Sequence, residues 1–399
     1  MKFWERIFGK PLEHKRAISY QQGLEAGLCG VPVRSGVTVT ESTALTLSTV
    51  WRAARLISES VGTLPLKLYR KGDDGRTEAT DHFLWTTLHD EPNPEMGTVD
   101  FLSLLQWWAC LWGNAYAEVE RDGTGAVLAL WPVAPWRVKT CRDSDGLYYE
   151  VDGDDEIRAR DMLHIKGPSP DGSEGYRLVH QARESFGFSL ACDQFGSSFF
   201  GNAARPSGVL EVPNSMSPET QTNIAKSWNQ LQSGVSSTGK VAVLEEGVSW
   251  KPLSVSNEAG QYDQTRQFQV LEVCRWLGVD PIFVYAFGAN PGGVAEQQTR
   301  NFLTFTLNPW LRRWECELAR KCISRDERAV LYPEFVREAI LSLDAKTQAE
   351  IWGIGVDHGW LLADEVRKFQ NMRPMPQLTP APAPVQEDNG NEIVPQQDS

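Results

Sequence analysis

No two cysteines stand at CxxC spacing in this chain. The seven it has (Cys29, Cys110, Cys141, Cys192, Cys274, Cys316 and Cys322) are odd in number and scattered. That excludes a zinc ribbon and a thioredoxin-like redox site, and points to reduced thiols in a cytosolic compartment. The six histidines (His14, His82, His89, His164, His180 and His358) form no HExxH and no local cluster with cysteine. His164 lies in the strand-like MLHIK and reads as structural. No GxSxG supplies a nucleophile elbow, and no acid–base pair stands out. Neither a cofactor nor a metal site is expected. Long apolar runs are missing too. The longest uncharged stretch, 101–117, is short of a bilayer span and holds Gln106, Gly113 and Asn114, so it reads as a buried helix running into a strand. No membrane partner is expected.

Basic charge is in the minority, with 39 Lys and Arg against 52 Asp and Glu, for a formal net charge of −13. A protein that grips DNA over its whole surface needs clustered Lys and Arg, so that class is excluded. A channel that DNA crosses without sticking is not. What the chain has in excess is tryptophan: fifteen in 399 residues, which suggests bulky packing and extensive subunit contact. This length suits two or three domains.

The opening MKFWERIFGKPLEHKR is amphipathic and mildly basic; it reads as a terminus that orders in an assembly, with a membrane-surface or partner-binding arm as the alternative. Residues 17–40 suggest an extended arm. Ser42 is the expected N-cap of one helix, TALTLSTVWRAARLISESV, in which Val50, Ala53, Ala54, Ile57 and Val61 recur at helical spacing. The strand LPLKLYRK follows, with a turn at 72–75. After a short helix in HFLWTTLH and the apolar helix TVDFLSLLQWWACLWG, short alternating runs separated by turns predict one β-meander, NAYAEVER to EIRAR. The first half is therefore expected to be α+β.

From Gly175 the pattern changes. The stretch 176–205 predicts one helix of over 25 residues. Next comes a compact unit: strand SGVLEV, a helix starting at Ser217 and Pro218, a Gly/Ser loop, and strands KVAVLEEG and SWKPLSV. The helix YDQTRQFQVLEVCRWLG returns the chain, so the small unit is an excursion between two long helices. A Gly/Asn/Pro loop (Phe287 to Gly293) then opens into a long helix with Pro309 inside it, at which a kink is expected. A last helical stretch, TQAEIWGIGVDHGWLLADEVRKFQN, precedes a Pro/Gln-rich tail that reads as disordered.

Several motifs mislead. Gly234 to Lys240 spells GxxxxGK, but a helix precedes it, a strand follows it and Val241 stands where a P-loop needs Ser or Thr. It reads as a connection with one solvated lysine. The acidic stretches 143–146 and 152–156 lack EF-hand spacing and read as hairpin turns. Arg300, Arg312, Arg313, Arg320 and Lys321 cluster on the long helix; local ion pairing, such as Arg313 with Glu317, is the simpler reading than phosphate contact.

In this order the elements resemble the tailed-bacteriophage portal proteins, or head-tail connectors, in their compact branch. The resemblance runs from about 42 to 375. It is carried by VWRAARLIS with LPL (50–66), GNAY (113–116), FFGN with PSGVL (199–210), VLEEG (243–247), LGVDP (277–281), Glu296-Gln297 with LNP (307–309), and ADEVR (363–367). It implies an N-terminal arm (1–41), an α+β wing (42–176), a stem helix (177–204), a small α/β clip (205–255) and a second stem helix (256–280). A tunnel loop with a long kinked helix (281–323), a wing return with a short helical crown (324–376) and a disordered tail (377–399) would complete it. The resemblance further implies a ring of about twelve subunits at one capsid vertex, through which double-stranded DNA passes. Partners would be the large terminase, a head-tail adaptor, and the major capsid or scaffold protein. The location would be the virion, and the host cytoplasm during assembly. Asn290, Gly292, Gly293, Glu296, Gln297, Gln298 and Arg300 would face the channel, and Trp228, Lys240, Glu245 and Glu246 would meet terminase and adaptor. No catalysis is implied. The alternatives are a nucleotide-dependent enzyme using Gly234–Lys240 and a non-ring adaptor.

Overall fold

A small antiparallel ribbon, β1 (Val31–Pro32) with β2 (Thr38–Val39), leads into the first helices of the computed structural model. The structure describes residues 31–73, 75–153, 155–201, 208–211, 249–252, 258–285, 294–340, 345–370 and 372–373, with single positions between 217 and 226. The chain divides into two units, Met1–Leu341 and Ser342–Ser399.

The expected single helix from Ser42 is two. The short α1 (Glu41–Ala44) is capped by Thr40, not Ser42: Thr40 Oγ1 accepts from Thr43 N at 3.1 Å while Thr43 Oγ1 accepts from Thr40 N at 2.8 Å. This reciprocal cap satisfies the first-turn donors locally, and a tight turn at Leu45–Leu47 then restarts the chain as α2 (Ser48–Thr63). Strands β3 (Leu66–Gly72) and β4 (Gly75–Glu78) form the expected hairpin, and α3 (Leu84–His89) follows. Helix α4 (Thr98–Trp112) is buried nearly all round, with Phe101, Leu105, Trp108 and Leu111 in the main core. It lies so close to α2 that a Cβ on Gly62 would sit 2.0 Å from Ser103 Oγ, so only glycine fits there.

The meander divides. Strands β5 (Asn114–Arg121), β6 (Val127–Val133), β7 (Val138–Asp143), β8 (Gly146–Val151), β9 (Asp155–Arg158) and β10 (Met162–Lys166) make two three-stranded sheets, ordered β10-β5-β6 and β7-β8-β9. A 3₁₀ turn at Pro135–Arg137 redirects the chain after β6, and β10 comes back to pair with β5 (His164 opposite Tyr116). The first sheet is buried along β5 and β10. The second is half-exposed and laced with ion pairs, Arg158–Asp143 at 2.6 Å among them. Asp143 also accepts from Asp145 N at 2.9 Å, which is turn chemistry.

The long helix expected over 176–205 is interrupted. Helix α5 (Leu178–Gln181) ends at Ala182, where ψ is 6°, and α6 (Arg183–Gly201) begins afresh. Val179, Ala182 and Phe186 are all buried at this break, so packing of the turn into the core overrides helical continuity. After α6 come β11 (Gly208–Glu211) and β12 (Ser249–Pro252), paired antiparallel with Gly208 opposite Pro252. Helix α7 (Glu258–Leu277) then packs on α6. Tyr262 Oη donates to Cys192 O at 3.0 Å, Arg266 pairs with Asp193 at 2.9 Å, and Ser189 bonds Gln269 at 3.0 Å. Of the rest of the expected excursion, the helix from Ser217 is described only at single positions, helical at Glu219, Thr222 and Lys226, and strand KVAVLEEG lies outside the described residues.

Helix α8 (Val294–Asn301), a π-helical segment (Phe302–Leu307) and helix α9 (Asn308–Cys322) follow without interruption. Strand β13 (Leu331–Phe335) then pairs with β3, Phe335 opposite Leu66, and closes the sheet β13-β3-β4. In the second unit, the expected helical stretch consists of two helices, α10 (Ala345–Asp357) and α11 (Ala363–Phe369). They are joined by a turn at Gly359 (φ 73°) in which Leu361 N donates to Gly355 O at 3.1 Å. The six described cysteines are all free, and burial pushes the Cys110 and Cys322 thiols up to about 12. Among the described residues no helix is long and apolar enough to cross a membrane.

Candidate functional site

The long helix from α8 to α9 is where sequence and structure both concentrate unusual features. Its irregularity lies beside Pro309. Pro309 sits in the first turn of α9, where a missing N–H costs nothing within that helix, and the irregularity is the π segment just before it. Without an N–H, Pro309 cannot serve the carbonyl of Phe305 in α-helical register. One residue earlier the ladder is already shifted: Asn308 N donates to Leu303 O, an i→i+5 bond. Thr306 Oγ1 adds a bond to Gly278 O, fastening the π segment to the loop after α7. Phe283 and Phe302 rings lie 5.0 Å apart, and Arg52 Nε donates to Phe283 O at 3.1 Å.

The C-terminal part is deeply fixed. Trp314 is fully buried, its indole N–H donating to Gln106 Oε1 at 2.9 Å. Glu315, 4 % exposed, accepts from Phe335 N (3.1 Å) and from Arg337 (2.8 Å) and pairs with Arg312 at 2.9 Å. The expected Arg313–Glu317 pair does not form. Glu317 pairs with Arg320 and Lys321, both at 3.5 Å, while Arg313 lies over the Trp310 ring, 4.9 Å from its centroid. The indole face already attracts Arg313, and burial lowers its guanidinium pKa, so an extended reach toward Glu317 gains little.

The N-terminal part is turned outward. Gln297 and Arg300 are exposed, Gln298 is half-buried, and Gln297 Nε2 donates to Asn301 Oδ1 at 3.0 Å. Glu296 belongs to α8, though its side chain lies outside the described residues, as do Asn290, Gly292, Gly293, Trp228, Lys240, Glu245, Glu246 and the string Gly234–Lys240. The structure therefore brings Gln297, Gln298 and Arg300 onto one helix.

Sequence reasoning missed the aromatic residues. Phe305 is 76 % exposed and Trp276 and Tyr176 are partly so; with Trp310, Arg275 and Arg313 they border a cavity of about 430 Å³ between α7 and the π segment. The available signal was the Phe302/Phe305 pair: i,i+3 residues share a face of an α-helix, but the π segment puts Phe302 inward and Phe305 outward.

Gly113, at the head of GNAY, shows how tightly the neighbouring loop is set. It caps α4 in the left-handed region (φ 72°), and a Cβ there would lie 1.9 Å from Tyr176 O. Asn114 beside it accepts from Gly175 N (2.7 Å) and bonds His164 Nε2 (2.9 Å), while Tyr149 Oη meets His164 Nδ1 at 3.1 Å. Burial and the nearby Lys166 and Lys321 charges lower the His164 pKa to about 3, so this network is a neutral structural clamp.

The model of the family described as phage portal protein matches residues 48–371. A curated relative, the "Probable portal protein" of Streptomyces phage phiC31, is 33 % identical over 94 % of this chain and 86 % of its own length. Among solved structures, a portal protein of the HK97 family from Corynebacterium diphtheriae superposes with a TM-score of 0.58 at 17 % identity, covering 79 % of this chain and 99 % of that one. A chain in the neck of a native gene transfer agent particle, computed with C12 symmetry, does so with a TM-score of 0.58 at 20 % identity, over 83 % and 92 %. With an α+β fold matching portal structures and a family match that spans most of its length, the chain belongs to the phage portal protein family.

Proposed function

We propose that the chain is one subunit of a ring-shaped channel at a single capsid vertex, through which DNA is packaged and later ejected. The observation that carries this reading is the split character of the long helix in a portal-family chain: a buried C-terminal anchor at Trp314 and Glu315, and an outward N-terminal part bearing Gln297, Gln298, Arg300 and Phe305. Polar, mostly uncharged side chains suit contact with a polymer that must keep moving, since dense positive charge would trap it. The C12 symmetry named for the gene transfer agent neck supports a ring of twelve subunits.

On this reading, Asn290, Gly292, Gly293 and Glu296 extend the channel-facing surface upstream of Gln297. Residues 42–176 form a wing. The paired helices α6 and α7 belong to stem segments 177–204 and 256–280, and the β11–β12 ladder closes the base of a clip over 205–255. Within it, Trp228, Lys240, Glu245 and Glu246 meet the large terminase and then a head-tail adaptor. Residues 324–376 return to the wing and form a crown inside the capsid, where the ring meets the major capsid or scaffold protein. The subunit performs no chemistry, and energy for packaging comes from the terminase. Assembly takes place in the host cytoplasm.

The test is the mass of the purified chain by light scattering, with negative-stain images of the same peak. Annular particles of about twelve subunits are expected; a stable monomer that binds nucleotide through Lys240 would overturn the reading. Deleting Ala289 to Gly293 should leave the rings intact and impair DNA packaging. Loss of rings would instead make that segment an interface element.

A further inference from the structure

On a chain of net charge −13, one concavity has the opposite sign. It holds about 580 Å³ and lies where the C-terminal end of α9 meets the tip of the β5–β6 hairpin. Arg121, Arg160, Arg320, Lys321, Arg325 and Arg328 line it, against the carboxylates of Asp326 and Glu327.

These cations do two different jobs. Half of them hold the frame. Arg121 donates to Asp161 (2.7 Å), to Gly125 O (3.1 Å) and to Lys321 O (2.8 Å). Arg328 donates to Ile323 O (3.0 Å) and Arg320 O (2.8 Å), and buried Lys321 donates to Ala159 O. Several of these acceptors are the orphan carbonyls that end α9, so their satisfaction explains why arginine gathers at this helix C-terminus. Glu327 is likewise engaged, accepting from Ser324 Oγ at 2.6 Å.

The other half points outward. The Arg160 and Arg320 side chains are 70 % and 62 % exposed, and each makes only a loose ion pair, with Asp161 at 3.9 Å and with Glu317 at 3.5 Å. Arg325 is exposed, with no side-chain partner among the described residues. Three guanidiniums thus stand on a rigid frame with their hydrogen-bonding capacity largely unspent, the arrangement that recognises carboxylates by paired N–H donors. Phe83, 49 % exposed, adds an apolar edge to the same hollow.

We propose that this pocket docks an acidic segment of a partner protein, with Arg160, Arg320 and Arg325 receiving its carboxylates and Phe83 an apolar side chain beside them. A peptide fits better than a duplex. Duplex phosphates repeat along a line and call for a stripe of cations, whereas this site is a confined hollow on a negatively charged chain. The inference stands on the pocket alone and does not need the channel reading.

The experiment uses the full chain in its native assembly state and a short fluorescein-labelled Glu/Leu peptide, read by anisotropy at low and physiological salt. Wild type should bind it, and added salt should weaken the binding. The triple variant Arg160→Ala, Arg320→Ala, Arg325→Ala should bind it about tenfold or more weakly, since each exposed ion pair contributes a factor of a few. Arg325→Glu alone, in an exposed loop that folding does not depend on, should weaken binding in the same direction. Unchanged affinity in both variants overturns the proposal. So does a duplex oligonucleotide that binds through these arginines when the peptide does not. Loss of self-association in the variants without any peptide binding overturns it too, and would assign the pocket to a second copy of the chain.

Discussion

The two halves of the long helix obey different physics. From Asn308 to Cys322 one face of the helix is anchored in the core: Trp314 and Leu311 are fully buried, Glu315 is enclosed, and Lys321 is sunk beside β10, while Arg312, Cys316 and Arg320 face solvent. From Gln297 to Asn301 the side chains are exposed or half-buried, and in the π segment Phe305 stands in solvent while Phe302, Leu303 and Leu307 stay in the core. The π segment separates the two regimes. A register shift rotates whatever precedes it relative to the anchored half, so the outward face can be chosen without disturbing the core. Burial and exposure are thus assigned to different turns of one helix.

The largest expected effect comes from attacking the anchor. Trp314→Ala should destabilise the folded chain by about 3–5 kcal/mol, through the cavity left in the core. It also leaves Gln106 Oε1 without its donor, which adds to the cost. Denaturant unfolding of the unassembled chain reads this directly. A loss below about 1 kcal/mol would mean that the anchor carries far less than its burial suggests.

A milder stress on the same region is acid. His164 lies on β10 against α9, with the Lys321 charge helping to keep it neutral. Its folded pKa of about 3 lies below the unfolded value near 6.5. The unfolded chain therefore takes up a proton first. The stability tied to neutral His164 is fully present above pH about 6.5 and is lost as pH falls toward 3, by about 1.4 kcal/mol per unit. Between pH 6.5 and 4.5 that amounts to about 2–3 kcal/mol. His164→Gln should remove this part of the slope while costing stability at neutral pH. Equal slopes in the two proteins would contradict the assignment.

Much of this architecture was legible in the sequence, and the parts that were not share a cause. Hydrophobic spacing located α2 and β3 because there a single period runs uninterrupted, and α4 announced itself by an apolar run too long for a strand. It failed where tertiary packing breaks a helix without leaving a Gly or Pro, as at Ala182, and where a neighbouring side chain supplied a better cap, as Thr40 did ahead of Ser42. The single meander failed because strand pairing is long-range: nothing in MLHIK says that it pairs with NAYAE rather than with EIR. The π segment was invisible for a similar reason. Pro309 advertised a break, but the side to which Phe305 would turn depends on the shifted ladder. Gln297, Gln298 and Arg300 on α8 were readable as a polar helix start after a Gly-rich stretch, whereas the arginine pocket is assembled from four separated stretches, around 83, 121, 160 and 320–328.

The smallest effect on stability should come from the exposed half, and it is the sharpest probe of the comparison. Phe305 is 76 % exposed, so Phe305→Ala removes little buried area and should shift unfolding of the isolated chain by about 0.5 kcal/mol or less. If this half serves presentation, the same substitution should have its consequence in the assembled state, as fewer annular particles or poorer DNA packaging at unchanged chain stability. The contrast with Trp314→Ala is then a contrast of kind: one variant fails to fold well, the other folds and fails to function. Should Phe305→Ala cost as much stability as a core truncation, the outward half would belong to the fold itself. The division of labour at the π segment would then have to be abandoned.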